Sequence, residues 1–253
     1  PSVVELRILG LDPDIFGVGK RWNCSWLSCV ELSPTSGNPV VLLPGGGRRE
    51  YTAEVDLLTH TRLTGNTNTG FQLVLPDGGQ FAYTQIVTNA GGQFLKAFLR
   101  EQQDPTQQKI QFNYGVTSYA DRAVVRLNSV VDADGRTTTI SYNETNLFST
   151  NLIKEVTDPF GRTCSLEYDL TSITDERGFL SAVTDVQGLR STFHTVPVCH
   201  WILQMTTPYD TNSFEINDPG GTNAPLDMRC VRVTEEGEDT HHWYVCLASN
   251  GPL

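Results

Sequence analysis

The sequence predicts an all-β fold in which antiparallel hairpins repeat to form one continuous twisted sheet. Three observations carry this: a unit recurring every 26 to 28 residues, period-two alternation of apolar and polar residues within it, and no long stretch of helical periodicity.

The unit is anchored on aspartates. Asp104, Asp132, Asp158 and Asp185 stand at intervals of 28, 26 and 27 residues, and Tyr114, Tyr142 and Tyr168 each follow the first three by ten. Gly135, Gly161 and Gly188 lie three places after their aspartates. This spacing suits a type I turn in which the Asp accepts backbone N–H bonds and the Gly supplies a positive φ. A strand then follows the turn. Ile110, Phe112 and Tyr114, then Thr138, Ile140 and Tyr142, then Cys164, Leu166 and Tyr168 occupy one face, with polar residues between them. The fourth copy offers Ser191, Phe193 and Thr195 instead. Upstream of each Asp a second strand is expected, carrying Leu99, Leu127, Ile153 or Leu180 five places before it. The same phrase recurs within Leu170–Asp175, and Met205 before Asp210 suggests a fifth, altered copy.

The other elements follow in chain order. Trp22, Cys24 and Trp26 are expected to share one strand face in the core. Ser33–Gly47 is a Pro/Gly-rich connection; its Gly45-Gly46-Gly47 lacks the Lys-Ser/Thr of a phosphate loop and reads as a turn between strands. Tyr51–Leu58 alternates and predicts a strand with Tyr51, Ala53, Val55 and Leu57 inward. Leu73–Tyr83 reads as strand, Asp-Gly turn and strand, and Gly92–Gln103 as a strand leading into Asp104. Beyond a Gly/Pro/Asn loop, Met228–Thr234 and His241–Leu247 suit a hairpin across which Cys230 and Cys246 could face one another. The expected organisation is a β lead-in over 1–70, a repeat region over 71–216, and a loop and hairpin tail over 217–253.

Here the residues meet a known pattern. Gly161–Gly188, GRTCSLEYDLTSITDERGFLSAVTDVQG, resembles the YD-repeat phrase of the RHS (rearrangement hotspot) family, with Tyr168-Asp169 as the naming dipeptide. Met205–Ile216 resembles a segment that closes blocks of such repeats, and Leu73–Tyr83 resembles a hairpin near their start. The pattern departs at Tyr114-Gly115 and Tyr142-Asn143, where the family has Asp after Tyr. Family members carry many more repeats and wind them into a hollow shell around a toxin or their own C-terminal region. Four or five copies cannot close such a shell. The resemblance therefore implies a segment of a larger wall, or a small member that stacks with other copies.

Composition narrows the function classes. Eighteen basic against 29 acidic side chains give a net charge of −11, which repels nucleic acid and anionic lipid surfaces. No run of apolar residues is long enough for a membrane-spanning helix, and the first twenty residues lack the zones of a signal peptide. Six cysteines form no CxxC pair; they either bridge, in an oxidising compartment, or are buried as small apolar residues. Asp132-Ala133-Asp134-Gly135 has the opening spacing of a calcium loop but lacks its later ligands. His194, Cys199 and His200 have no third ligand at metal spacing, and Asp218-Pro219 is a partial echo of a self-cleavage motif. Asn23-Cys24-Ser25 and Asn143-Glu144-Thr145 are formal glycosylation sequons.

No catalytic residue, metal site or cofactor is therefore assigned. The expectation is a non-catalytic structural component of a secreted or cell-surface assembly, associating through sheet edges. A glycan- or protein-binding adhesion module and a segment of a toxin-enclosing shell are the alternatives.

Overall fold

A computed structural model describes residues 14–19, 22–44, 46–143, 151–169, 178–195, 202–217, 228–235 and 238–245. They form an all-β molecule with two antiparallel sheets. The smaller sheet has the order β3-β2-β1-β8-β7, from β1 (Cys29–Leu32), β2 (Pro39–Leu42), β3 (Arg48–Glu50), β7 (Gln85–Thr88) and β8 (Phe94–Phe98). The larger has 15 strands. It begins with β4 (Arg62–Asn66), β5 (Gly70–Val74), β6 (Gln80–Tyr83) and β9 (Glu101–Gln103), joined in that order. It continues strictly in sequence through β10 (Lys109–Ser118), β11 (Ala123–Val131), β12 (Thr137–Tyr142), β13 (Ile153–Thr157), β14 (Thr163–Asp169), β15 (Phe179–Thr184) and β16 (Arg190–Thr195). It ends with β17 (Ile202–Thr206), β18 (Thr211–Asn217), β19 (Met228–Glu235) and β20 (Glu238–Val245). The positions at which the sequence divides the chain fall inside continuous pairing: β4 and β5 straddle residue 70, and β18 pairs with β19.

Each expected repeat is a hairpin, closed by one turn design. At Asp132 the N–H donates to the Arg136 carbonyl (3.0 Å), and the Gly135 N–H donates back to the Asp132 carbonyl (3.0 Å). The Asp132 carboxylate accepts the N–H groups of Asp134 (3.0 Å) and Arg136 (2.9 Å), and Gly135 sits at φ 79°. This is a type I turn extended by a left-handed residue, the three-residue hairpin loop whose twist matches the flanking strands. Asp158 and Asp185 repeat it, with Gly161 at φ 80° and Gly188 at φ 84°. Asp104 makes the same bonds although Gln107, not glycine, holds the left-handed position at φ 70°. The device also closes Leu75–Gly79 and Asn89–Gln93, where Gly78 and Gly92 supply the positive φ.

The alternation also holds. Phe112 and Ile140 are buried and Tyr114, Tyr142, Leu166 and Tyr168 half-buried, while Lys109, Gln111, Thr137, Thr139, Thr163 and Glu167 are exposed. Leu99, Leu127, Ile153 and Leu180 are fully buried. The first three join Val30, Val41, Leu73, Tyr83 and Phe98 in a core shared by both sheets.

Four expectations are corrected. Tyr51–Leu58 is not a strand: Tyr51 is buried, but Leu57 and Leu58 are 82% and 77% exposed. The Asp56 carboxylate takes the Leu58 N–H (2.9 Å), the Thr59 hydroxyl (2.9 Å) and the Arg49 guanidinium, so local bonds bend the chain where a ladder would extend it. Gly92–Gln103 is two strands in different sheets, since the chain leaves β8 and enters β9 across Leu99 and Arg100. Trp22, Cys24 and Trp26 share no strand, because the Leu27 N–H closes a turn on the Cys24 carbonyl (2.9 Å) and extended pairing starts only at Cys29. In the altered fifth copy Thr207, not Asp210, opens the turn, its N–H donating to the Asp210 carbonyl at 2.7 Å. The hairpin expected within Leu170–Asp175 lies outside the described residues.

Candidate functional site

The repeats bring the predicted residues together as two rows, one of tyrosines inside and one of turn tips at a rim. In the inner row the Tyr114 hydroxyl donates to the Leu99 carbonyl (2.7 Å), Tyr142 to Leu127 (2.8 Å) and Tyr168 to Ile153 (2.6 Å). Each bond reaches fifteen residues back, from one copy to the upstream strand of the same copy. A carbonyl buried among aliphatic side chains needs a donor, and the tyrosine brings one while its ring fills the core. Burial holds all three phenols well above their ordinary range, so the donors stay protonated.

Every ladder tyrosine sits at an irregularity in pairing. The register shifts between Asn113 and Tyr114, between Ser141 and Tyr142, and between Glu167 and Tyr168. The fourth copy shifts identically between His194 and Thr195, where threonine replaces the tyrosine. One bulge per copy bends and twists the sheet regularly, which spacing alone does not reveal. Asp169 ends β14 opposite Phe179.

Across this ladder runs a segment that sequence reasoning missed. The Phe16 N–H donates to the Val125 carbonyl (3.0 Å) and the Val125 N–H to the Asp14 carbonyl (2.7 Å). One copy further on, the Gly17 N–H donates to Asn151 (3.0 Å) and the Ile153 N–H to Gly17 (2.9 Å). The bridges are parallel, Ile15 with Val125 and Gly17 with Leu152. Phe16 packs on Tyr114 (ring centroids 6.1 Å apart), and Trp22 meets Phe193 edge-on at 5.0 Å. Isolated bridges carry no periodic signature, so only the recurrence of the acceptor position at Val125 and Asn151 identifies the strap.

The rim holds Asp104, Asp132, Asp158 and Asp185. Their carboxylates are occupied by backbone N–H groups, and Arg136 and Arg162 add ion pairs to Asp132 and Asp158 (2.8 and 2.6 Å). Among the described residues no group of three or more His, Cys, Asp or Glu side chains is placed to hold a metal ion. Phe160 and Tyr209 project from two turns of this rim, 71% and 80% exposed. Among the described residues Cys24, Cys29 and Cys164 form no disulfide. The backbone register puts Trp243 opposite Cys230, and Cys246 lies outside the described residues, as do Cys199, His200 and Asp218.

No family model matches the chain, and no curated protein matches it. Among solved structures it is similar to a porin-like protein from Bacteroides uniformis, at 11% identity and a TM-score of 0.32, covering 87% of this chain and 93% of that one.

Proposed function

We propose that the chain is a non-catalytic structural component of a secreted or cell-surface assembly built from YD/RHS-like repeats. The observation that carries this reading is the equivalence of the copies: the same turn, bulge and tyrosine bond recur from β10 to β15, and each copy adds two strands to one sheet. Polar side chains of the repeats serve the fold itself. A repeat cannot bury its apolar face alone, so its neighbours complete it. At its ends the sheet presents β4 and β20, and an edge strand offers backbone donors and acceptors to another chain. The β4 edge is partly covered, since Val55 bridges Arg62 and the Leu63 N–H donates to Glu54 (2.7 Å). Light scattering with negative-stain microscopy across a concentration series tests the reading. Concentration-dependent closed or extended particles are expected, and a strict monomer at high concentration would overturn it.

A second reading rests on Phe160 and Tyr209, two exposed aromatic rings at one rim. Rings presented in this way suit a glycan or protein ligand. It predicts that Phe160→Ala with Tyr209→Ala abolishes retention on a glycan panel or by a captured partner while leaving thermal stability unchanged.

A further inference from the structure

We propose that the repeats form a track for an extended polypeptide, and that Asp14–Gly19 is its resident occupant, a ligand the chain supplies to itself. The track arises from a mismatch in strand length. In the second, third and fourth copies the upstream strand extends beyond its pairing with the next strand: β11 pairs with β12 only from Ser129 onward, β13 with β14 only from Glu155, and β15 with β16 only from Ala182. Among the described residues, Val125, Ile153 and Leu180, which lie before those points, meet no strand of the larger sheet on that side. The strap takes the backbone groups of Val125 and Ile153.

The strap passes from one copy to the next, the Phe16 N–H donating to the Val125 carbonyl and the Gly17 N–H to the equivalent carbonyl of Asn151. Ile15 and Phe16 engage Val125, Gly17 engages Asn151 and Ile153, and Gly19 lies against Gly178 and Leu180. Val125, Asn151 and Gly178 are equivalent, each standing two places before the buried aliphatic residue of its copy. In the first copy the corresponding bond, from the Leu99 N–H, goes to the Ser28 carbonyl (3.0 Å), so β1 takes over where the strap ends. A further unpaired position follows in β17, where pairing with β18 starts at Gln204 and leaves Ile202 before it.

These constraints define the ligand. Main-chain bonds at Asp14, Phe16 and Gly17, with parallel bridges at Ile15 and Gly17, require an extended peptide running parallel to the upstream strands. Close approach requires a glycine at one position: a Cβ on Gly19 would lie 3.1 Å from both Gly178 O and Leu180 N and 3.2 Å from the Tyr168 ring, and Gly19 holds a positive φ of 95°. Aromatic residues at the two ends supply apolar anchors, as Phe16 does on Tyr114 and Trp22 on Phe193. The ligand class is thus an extended peptide with a glycine at the Gly19 position and aromatic anchors on either side of it.

The test uses the full chain carrying Phe16→Ala and Trp22→Ala, read by residue-resolved amide exchange. Exchange at Val125 and Ile153 is expected to rise about tenfold or more over the unsubstituted chain, while the smaller sheet stays protected. Adding a synthetic peptide with the sequence of residues 14–22 should restore protection at both amides, and a scrambled peptide should not. Unchanged exchange in the folded variant, or no restoration by the peptide, would overturn the track. Should the double variant not fold, Gly19→Ala keeps both anchors and crowds Leu180; raised exchange at Ile153 supports the proposal there, and unaltered exchange overturns it.

Discussion

The Tyr142 hydroxyl donates to the Leu127 carbonyl at 2.8 Å, and Leu127 is completely buried. Water cannot replace the donor without entering the core. Tyr142→Phe keeps the ring and removes only the bond, so the carbonyl is left unsatisfied at a cost of about 1–3 kcal/mol. Urea unfolding followed by circular dichroism should show this as a lower midpoint with an unchanged slope. An unchanged midpoint would mean the carbonyl finds another donor and the ladder is packing alone.

The same burial sets a pH limit. Tyr114, Tyr142, Tyr168 and Tyr83 all have their phenol ionisation raised in the fold, first by desolvation. A raised folded value means the native state keeps protons that the unfolded chain releases, so stability is whole below the ordinary phenol value of about 10 and falls as pH rises above it. Alkaline titration should therefore give delayed, cooperative tyrosinate absorbance coincident with loss of the β-sheet signal. Ionisation of all eight tyrosines near pH 10 with the fold intact would contradict the buried ladder.

How much of this was legible depends on whether a residue acts through its neighbours in sequence. Asp132 and Gly135 act within one turn, so their spacing stated the geometry. Leu127 and Tyr142 were each visible as periodic residues, and their constant fifteen-residue separation was the available signal for the bond. Tyr51–Leu58 misled because alternation is necessary but not sufficient for a strand; Asp56 offered its carboxylate to nearby N–H and O–H groups and the strand was lost. The strap was invisible because its partners, Val125 and Asn151, lie more than a hundred residues away and are met through backbone atoms, which carry no residue identity.

Gln107 makes a prediction in the stabilising direction. It holds φ 70° in the place where Gly135, Gly161 and Gly188 hold their copies. A left-handed conformation costs a side chain about 1–2 kcal/mol, and glycine loses about 0.5–1 kcal/mol of that advantage to its freer unfolded chain. Gln107→Gly should thus raise unfolding free energy by about 0.5–1 kcal/mol. The reverse change, Gly161→Gln, should lower it by a similar amount. Equal and opposite midpoint shifts check the argument, and a loss of stability in Gln107→Gly would refute it.

Strand parity constrains how edges can join. All neighbours from β4 to β20 are antiparallel, and 15 strands place an even number of reversals between the two edges, so β4 and β20 run in the same direction. Joining β20 of one copy to β4 of the next by simple translation would therefore make a parallel junction. An antiparallel junction, the pattern of every other pair in the sheet, requires a twofold axis that sets β20 against β20. The partly covered β4 edge favours the same choice. A two-fold pairing brings one position against its own copy or near it, so single cysteines along β20, beginning with Thr240→Cys, should yield homodimers under mild oxidation at a register-dependent position. Cysteines placed on β4 should not cross-link to them. Mixed β4–β20 cross-links in a doubly substituted chain, with no β20–β20 product, would instead establish head-to-tail growth and an open filament.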